Sequence, residues 1–308
     1  MTGIEGFVGA HLEARLAADG YEVWGTTLEE PPEGLERRVR CDVRQPEQVR
    51  SAFEESGAQA VVHLAARSSV ATSHTDPLGT YDVNVGGALS VLECAREAEL
   101  SGPVLLVGSG EVYGNLASDS PAAEEQPLAP LSPYAGSKAA QEAIGGQYAR
   151  TYGLRVVMTR SFSHTGPGQD ARFVFPSFAR QLARLERAGG RGTLRVGNLT
   201  PVRDYLDVRD VARAYALLLR CGAAGDVVNV CSGRGFALRE LLDELLELST
   251  AEARVVEDAG LVREVEIHHL VGDPTRLRAL GWEPEITPHR MLVDLLEHWR
   301  SRCEDQPT

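Results

Sequence analysis

Short apolar runs alternate along the chain with longer stretches in which apolar residues recur every three or four positions. A short apolar run bounded by turn residues is typical of a buried strand, and the longer periodicity is typical of an amphipathic helix. The pattern predicts strands at residues 22–26, 60–66, 103–109, 154–161 and 226–232. It predicts helices at residues 7–19, 46–55, 77–98, 133–152 and 208–219.

Strands separated by helices indicate right-handed crossovers and a parallel sheet covered on both faces. We therefore predict an α/β protein with a Rossmann-like, doubly wound parallel sheet. After about residue 160 the elements become shorter and turn-rich, which favours a smaller C-terminal substrate lobe. We assign residues 1–165 to a dinucleotide-binding domain, with the chain returning to it around 204–232, and residues 166–203 and 233–308 to the lobe.

The N-terminal stretch from Thr2 to Gly9 contains three glycines, Gly3, Gly6 and Gly9, just where the first helix begins. Such glycines allow a tight turn and a close approach of the backbone to a pyrophosphate at a helix N-terminus. The spacing differs from the usual dinucleotide pattern, so a merely flexible N-terminus is the alternative. We expect Gly3, Gly6, Phe7, Val8 and Gly9 to bind the cofactor.

A strand should precede this turn, but the chain begins at Met1 with Thr2 and Gly3 already in it. We therefore expect the first strand to be missing or truncated. Further along, Glu29 and Glu30 follow the second predicted strand, where an acidic side chain would bind a ribose and repel a 2′-phosphate. This favours NAD(H) over NADP(H), although both stay open. Asp42 and Val43 are expected near the adenine end of the cofactor, with an ordinary surface acid as the alternative for Asp42.

Tyr134 and Lys138 are four residues apart in a predicted helix, so that both lie on one face. An ammonium group near a phenol favours the phenolate, and we expect Lys138 to lower the pKa of Tyr134 so that it can exchange a proton near neutrality. Lys138 is the only lysine among 31 basic residues. A compact ammonium does what a wide, planar guanidinium cannot, so this lysine is a candidate for chemistry.

Ser109 ends an apolar strand, where its hydroxyl could hydrogen-bond a substrate carbonyl oxygen as negative charge develops. Glu111 follows two residues later and could act as an acid or base, with a solvated glutamate as the equal alternative. Ser109, Glu111, Tyr134 and Lys138 are the candidate catalytic residues.

Composition and charge exclude several other functions. A net charge of −13 argues against a nucleic-acid surface, and so does the lack of a basic stripe. Five scattered cysteines without a CxxC pair argue against a disulfide framework and a metal site. No signal-like start or long apolar stretch is found, so we expect a cytoplasmic protein without a membrane partner.

Gly3–Gly9, the strand end His63-Leu64-Ala65-Ala66, Ser109, and Tyr134 with Lys138 together resemble the extended short-chain dehydrogenase/reductase family. The resemblance implies a nicotinamide cofactor, NAD(H) or NADP(H), also bound by Leu64, Ala65 and Ala66 and by Tyr134 and Lys138. It further implies a homodimer formed through the predicted helices at 77–98 and 133–152.

The stretch 159–169 and later segments are most similar to GDP-4-keto-6-deoxy-D-mannose reductases, which reduce a C4 ketone to give GDP-D-rhamnose. On this resemblance Arg203 binds the diphosphate, and Arg263 and Glu266 bind phosphate and ribose. The substrate would also contact Ser163, His164 and Asn198. Ser163 departs from the family, which usually has asparagine there.

A GDP-mannose 4,6-dehydratase, or another NAD-dependent nucleotide-sugar epimerase or dehydratase, is the alternative function. A dehydratase needs an additional acid or base for water elimination, which Glu111 could provide. A catalytically silent, nucleotide-sensing homologue is the alternative from another class. The complete set of Ser109, Tyr134 and Lys138 favours an enzyme.

Overall fold

The fold is known from a computed structural model, which describes residues 1–32, 34–116, 120–262 and 267–304. Its strands are β1 (Gly25–Thr27), β2 (Arg38–Arg40), β3 (Val61–His63), β4 (Val104–Ser109), β5 (Val156–Ser161), β6 (Ser163–Thr165), β7 (Arg191–Val196), β8 (Val202–Asp207), β9 (Val227–Val230), β10 (Gly235–Ala237), β11 (Glu252–Glu257) and β12 (His269–Leu270). Its α-helices are α1 (Phe7–Ala18), α2 (Pro46–Ser56), α3 (Val70–Thr75), α4 (Pro77–Tyr81), α5 (Gly87–Glu97), α6 (Pro133–Tyr152), α7 (Val174–Arg187), α8 (Val208–Cys221), α9 (Leu238–Leu248), α10 (Thr275–Ala279) and α11 (Pro288–Glu304).

The main sheet contains four parallel strands in the order β3-β4-β5-β9. Helices α1 and α8 pack on one face through residues such as Leu12 and Tyr215. Helices α2, α5 and α6 cover the other face through residues such as Leu92 and Tyr148. The predicted doubly wound parallel sheet is therefore confirmed.

Two residues occupy the interval between this sheet and the parallel pair β1-β2. Thr2 donates its backbone N–H to the Val62 carbonyl at 2.9 Å, and the Met1 carbonyl accepts from the Thr26 N–H at 2.9 Å. Thr2 forms an isolated parallel bridge with His63. Met1 and Thr2 thus lie between the pair β1-β2 and the sheet β3-β4-β5-β9, and their backbone hydrogen bonds connect the two.

The long helix expected at residues 77–98 is interrupted. Helix α4 ends at Tyr81, and a π-helical turn, Asp82–Gly86, leads into α5. Such turns carry one extra residue per turn and change the direction in which side chains project. The turn holds Asn84, which is buried and described below.

The chain after residue 160 contains more strands than the single late strand that the pattern predicts. Strand β8 pairs with β6, β10 and β12, and β7 pairs with β11. Their short alternating segments do not form the long apolar runs that mark buried parallel strands. Helices α7, α9 and α11 share a separate apolar core with β7, and α8 and β9 return the chain to the main sheet. The division into a domain and a lobe stays a prediction.

Candidate active site

The glycine turn lies directly against the end of β3. Gly3 has a φ of +67°, and a Cβ there would come within 2.9 Å of the Ala65 backbone nitrogen. A Cβ on Gly9 would come within 2.4 Å of the Ile4 carbonyl oxygen. Gly6 caps the start of α1 without a side-chain hydrogen bond. The backbone N–H groups of a 12-residue helix therefore face the turn, and these residues fit the phosphates of a dinucleotide.

The strand end His63–Ala66 is held to the same turn by Thr2. Leu64 donates its N–H to the Thr2 carbonyl at 3.3 Å, and Ala65 donates to Thr2 Oγ1 at 3.2 Å. The structure thereby brings the predicted cofactor residues Gly3, Leu64 and Ala65 together. Val8 packs at the edge of the apolar core under α1, and Ala66 continues the strand end.

Asp42 and Val43 lie in the loop that follows β2. The Asp42 carboxylate accepts hydrogen bonds from Arg44, which lower its pKa. The Val43 side chain is buried in the core beneath α2 and α5. Any cofactor contact at Val43 must therefore be made by its backbone, and the roles of both residues stay predictions.

Ser109 and Tyr134 meet at the carboxyl end of β4. Ser109 is the last residue of β4, and its Oγ accepts the Glu111 N–H at 3.2 Å. Tyr134 is the second residue of α6, whose start is fixed by Pro133 and by the Ser132 side chain, which accepts the Ala135 N–H at 3.1 Å. The Ser109 side chain hydrogen-bonds the Tyr134 phenol. The arrangement places two hydroxyl groups side by side, where they can bind one carbonyl oxygen.

The expected lowering of the Tyr134 pKa is wrong for this structure. Burial raises the pKa of Tyr134, the hydrogen bond from Ser109 opposes that rise, and the nearby negative charge of Glu111 adds to it. Lys138 does not offset the effect of burial, because its ammonium group donates to the Val107 carbonyl and to Gln141 and not to the phenol. The phenol is therefore held protonated, which is the form that donates a proton.

Lys138 is buried, one turn beyond Tyr134 on α6. Its Nζ donates to the Val107 carbonyl at 2.8 Å and to Gln141 Oε1 at 3.0 Å. Burial lowers the pKa of Lys138 to about 7. Lys138 thus lies beneath the end of β4, close to Ser109 and Tyr134, as the helical spacing predicts.

Glu111 lines a shallow cleft, together with Ser132, two residues before Tyr134. Arg203 lines the same cleft and donates hydrogen bonds to the carbonyls of Val202, at 2.9 Å, and Ile267. The other lining residues are Val70, His74, Leu131 and Ile267. The cleft therefore carries a carboxylate and a guanidinium group from widely separated parts of the chain, and sequence reasoning had selected both.

His164 and Ser163 approach the site from β6. The His164 ring stacks on Phe7 of α1 with ring centroids 6.0 Å apart and an angle of 12°. Its Nδ1 is 2.9 Å from the Phe162 carbonyl, and burial lowers its pKa. This contact brings a predicted substrate residue against a predicted cofactor residue. Ser163 pairs with Tyr205 in the neighbouring strand β8.

The remaining predicted substrate residues are not brought to the cleft by any described contact. The Asn198 side chain accepts hydrogen bonds from the Thr200 N–H at 3.0 Å and its hydroxyl at 2.8 Å, which shapes the turn before β8. Arg263 and Glu266 lie outside the described residues. Their roles stay predictions.

Sequence reasoning missed Asn84, in the π-helical turn. Its Nδ2 donates to Ser137 Oγ at 2.8 Å and its Oδ1 accepts the Arg67 N–H at 2.8 Å. Asn84 therefore ties the loop after β3 to the helix that carries Tyr134 and Lys138. A polar residue inside the apolar stretch Val83–Val85 was the available signal, since a buried amide needs partners.

Within the described ranges, no group of three or more histidine, cysteine or acidic side chains is placed to hold a metal ion. The same part of the chain contains no helix long and apolar enough to cross a membrane.

Comparisons with known proteins find relatives over almost the whole chain. Residues 1–295 match the family described as GDP-mannose 4,6 dehydratase. GDP-6-deoxy-D-mannose reductase of Pseudomonas aeruginosa is 38% identical over 308 residues, covering 99% of this chain and 98% of that protein. GDP-mannose 4,6-dehydratase of Vibrio cholerae is 26% identical, covering 96% and 92%.

Two solved structures share the fold over almost their whole length. One is RMD from Pseudomonas aeruginosa complexed with NADPH, with a TM-score of 0.85, 39% identity and 97% of each chain covered. The other is UDP-glucose 4-epimerase of Thermus thermophilus in complex with NAD, with a TM-score of 0.86, 32% identity and 97% of each chain covered.

The fold and the site define a nicotinamide-dependent enzyme of the short-chain dehydrogenase/reductase type, as the sequence predicts. Within that class, the chain belongs to the GDP-mannose 4,6-dehydratase family.

Proposed function

We propose that this protein reduces the C4 ketone of GDP-4-keto-6-deoxy-D-mannose to GDP-D-rhamnose. The observation that carries a ketone reduction is the hydrogen-bonded pair of Ser109 and a protonated Tyr134 beside a cleft that contains Arg203. The choice of substrate is supported by the GDP-6-deoxy-D-mannose reductase of Pseudomonas aeruginosa, which matches this chain almost end to end.

The residues have separate tasks in this reaction. A nicotinamide cofactor held at the glycine turn would supply the hydride for the C4 carbon, whose carbon–oxygen double bond would become a single bond. Tyr134 gives its phenolic proton to the resulting oxygen, and the Ser109 hydroxyl hydrogen-bonds the same oxygen as its negative charge grows. Lys138 holds the cofactor's ribose through its ammonium group. The alcohol and the oxidised cofactor are the products.

Arg203 is proposed to bind the substrate's diphosphate. A guanidinium group forms paired hydrogen bonds with phosphate oxygens, and Arg203 already faces the cleft from β8. Arg263 and Glu266 are proposed as further nucleotide contacts, with Ser163, His164 and Asn198 toward the sugar. We also propose that the enzyme works as a homodimer in the cytoplasm.

A GDP-mannose 4,6-dehydratase is the second candidate, because Glu111 places a carboxylate in the cleft next to the hydroxyl pair. An elimination requires such a group to remove a proton, whereas a simple reduction does not.

The two functions are distinguished by measuring cofactor oxidation and the conversion of GDP-mannose. The enzyme is incubated with NADH or NADPH and GDP-4-keto-6-deoxy-D-mannose, which a known dehydratase generates in situ. We expect stoichiometric cofactor oxidation that Tyr134→Phe abolishes, and a lower KM for NADH if Glu29 and Glu30 exclude a 2′-phosphate. No cofactor oxidation, together with conversion of GDP-mannose to the 4-keto-6-deoxy sugar, would establish the dehydratase instead.

A further inference from the structure

The ammonium group of Lys138 is held by neutral acceptors. Its Nζ donates to the Val107 carbonyl at 2.8 Å and to Gln141 Oε1 at 3.0 Å. No carboxylate in the described part of the chain forms an ion pair with it. A buried ammonium without a countercharge is costly, and its hydrogen bonds then determine where it lies.

Gln141 closes a ring with the same two groups. Its Nε2 donates to the Val107 carbonyl at 3.2 Å, while its Oε1 accepts from Lys138. Only this orientation of the carboxamide works, because the ammonium can only donate and the carbonyl can only accept. The Gln141 side chain is 1% exposed and lies three residues after Lys138 on α6. Both bonds are therefore shielded from water, which strengthens them.

We propose that Gln141 is a positioning residue: its carboxamide clamps the Lys138 ammonium to the Val107 carbonyl and thereby presents the remaining N–H of Lys138 to the cofactor. An ammonium has three donors, and the two described bonds use two of them. The third can serve a ribose hydroxyl. This inference rests on the proposed role of Lys138 in cofactor binding.

The neutrality of Gln141 has a measurable consequence. Burial lowers the pKa of Lys138 to about 7, so that its charge is lost as the pH rises through this range. The ionisable group that interacts with it electrostatically is His63, which faces it from β3. A carboxylate at position 141 would favour the charged ammonium and carry cofactor binding to higher pH.

The test measures the Kd of NADPH and of NADH by calorimetry between pH 6 and 9. The variants are Gln141→Leu, which removes both bonds, and Gln141→Glu, which keeps the acceptor and adds charge. Gln147→Glu is the matched control, since it makes the same chemical change on α6 nine residues beyond Lys138, about 13 Å along the axis.

We expect Gln141→Leu to weaken binding about tenfold at pH 6, as for the loss of one charge-assisted hydrogen bond. Gln141→Glu should move the alkaline midpoint of binding up by at least about one pH unit, whereas Gln147→Glu should leave it in place. If Gln141→Leu does not fold, the Gln141→Glu profile decides.

Lys138→Met separates the two levels of the inference. Weaker cofactor binding in Lys138→Met, together with wild-type affinity and pH dependence in both Gln141 variants, would overturn the role of Gln141 alone. Wild-type binding in Lys138→Met would overturn the proposed role of Lys138 in cofactor binding, and the inference about Gln141 with it.

Discussion

Lys138 is the only lysine of the chain, and its side chain is 4% exposed between two acceptors. This combination separates it from the 30 arginines, most of which can only serve as fixed positive charges. An arginine at this position would bring a planar group with five donors into a space fitted to a compact ammonium.

Lys138→Arg is therefore expected to lower kcat/KM by at least about 100-fold while the protein remains folded. Steady-state NAD(P)H oxidation measures the first effect, and thermal unfolding measures the second. Arg150→Lys, an exposed change near the end of the same helix, is the control and should leave both unchanged. Wild-type rates in Lys138→Arg would remove this residue from the mechanism.

At the residue scale, sequence patterns located the proposed catalytic groups but not the side chains that support them. Tyr134 and Lys138 are four apart in one helix, and Ser109 ends an apolar strand, so local periodicity was sufficient. Asn84 hydrogen-bonds Arg67 and Ser137, which are 17 and 53 residues away in sequence. Gln141 hydrogen-bonds the backbone carbonyl of Val107, which is 34 residues away. A local pattern can show that such a polar residue is buried, as at Asn84, but it does not identify the distant partners. The direction of the Tyr134 pKa was also wrong, because it depends on burial and on where the ammonium points.

At the scale of elements, a buried ion pair joins α6 to β5. Arg160 donates to both carboxylate oxygens of Glu142 at 2.7 and 2.8 Å, and its other nitrogen donates to the Tyr113 hydroxyl and the Glu124 carbonyl at 2.8 Å. One guanidinium thus fixes the catalytic helix, a core strand and the loop that precedes that helix. Glu142 lies four residues after Lys138 on the same face of α6, so the ion pair also fixes the orientation of the face that carries Lys138.

Glu142→Gln is expected to lower the free energy of unfolding by about 3 kcal/mol, because it leaves the buried Arg160 charge without its partner. Urea denaturation measures the change. Glu247→Gln makes the same substitution on the exposed side of α9 and should change stability by less than about 0.5 kcal/mol. Equal stability of the two variants would show that the ion pair contributes nothing.

A second side-chain contact joins β3 to the N-terminal residues Met1 and Thr2, which lie between β3 and β1. His63 at the end of β3 is fully buried, and its Nδ1 is 2.9 Å from Thr2 Oγ1. Burial lowers its pKa to about 3, with the charge of Lys138 adding to the effect. Between pH 6.5 and about pH 3, His63 is therefore neutral in the folded protein but protonated in the unfolded chain. The free energy of unfolding consequently has its full value above pH 6.5 and decreases as the pH falls below it.

Because of His63, the free energy of unfolding should decrease by up to about 1.4 kcal/mol for each pH unit below the pKa of the unfolded histidine. Denaturant unfolding at pH 7 and pH 5 measures it. His63→Gln should reduce the difference between the two pH values, whereas His74→Gln, an exposed change on α3, should not. An unchanged difference in His63→Gln would show that His63 does not limit acid stability.

Among the elements, the apolar runs predicted β3, β4, β5 and β9 and the helices α1, α2, α6 and α8 to within a few residues, whereas the single helix predicted at 77–98 is interrupted. Helix α6 begins and ends where its periodicity predicts, between Pro133 and a glycine in the left-handed region, Gly153. The strands after residue 160 were mostly missed. Strand β7, for example, alternates exposed and buried positions over Arg191–Val196 and carries two arginines, so its composition resembles a loop.

At the scale of the whole molecule, two regions far apart in sequence form one site. The glycine turn and β3 fit a dinucleotide, and the cleft between Glu111 and Arg203 adjoins the hydroxyl pair of Ser109 and Tyr134. The α/β alternation predicted the first region, because parallel strands end at one edge of a sheet. The second depends on β8, whose position is set by pairing with β6, β10 and β12 rather than by its own sequence.

The central claim is a net hydride transfer to C4 of the sugar. It is tested most directly with NADPH or NADH carrying two deuterium atoms at C4 of the nicotinamide, with GDP-4-keto-6-deoxy-D-mannose as substrate. The account predicts one deuterium at C4 of a GDP-6-deoxyhexose product, found by mass spectrometry and NMR, and one oxidised cofactor per product. A sugar without deuterium and with the cofactor unconsumed would contradict it.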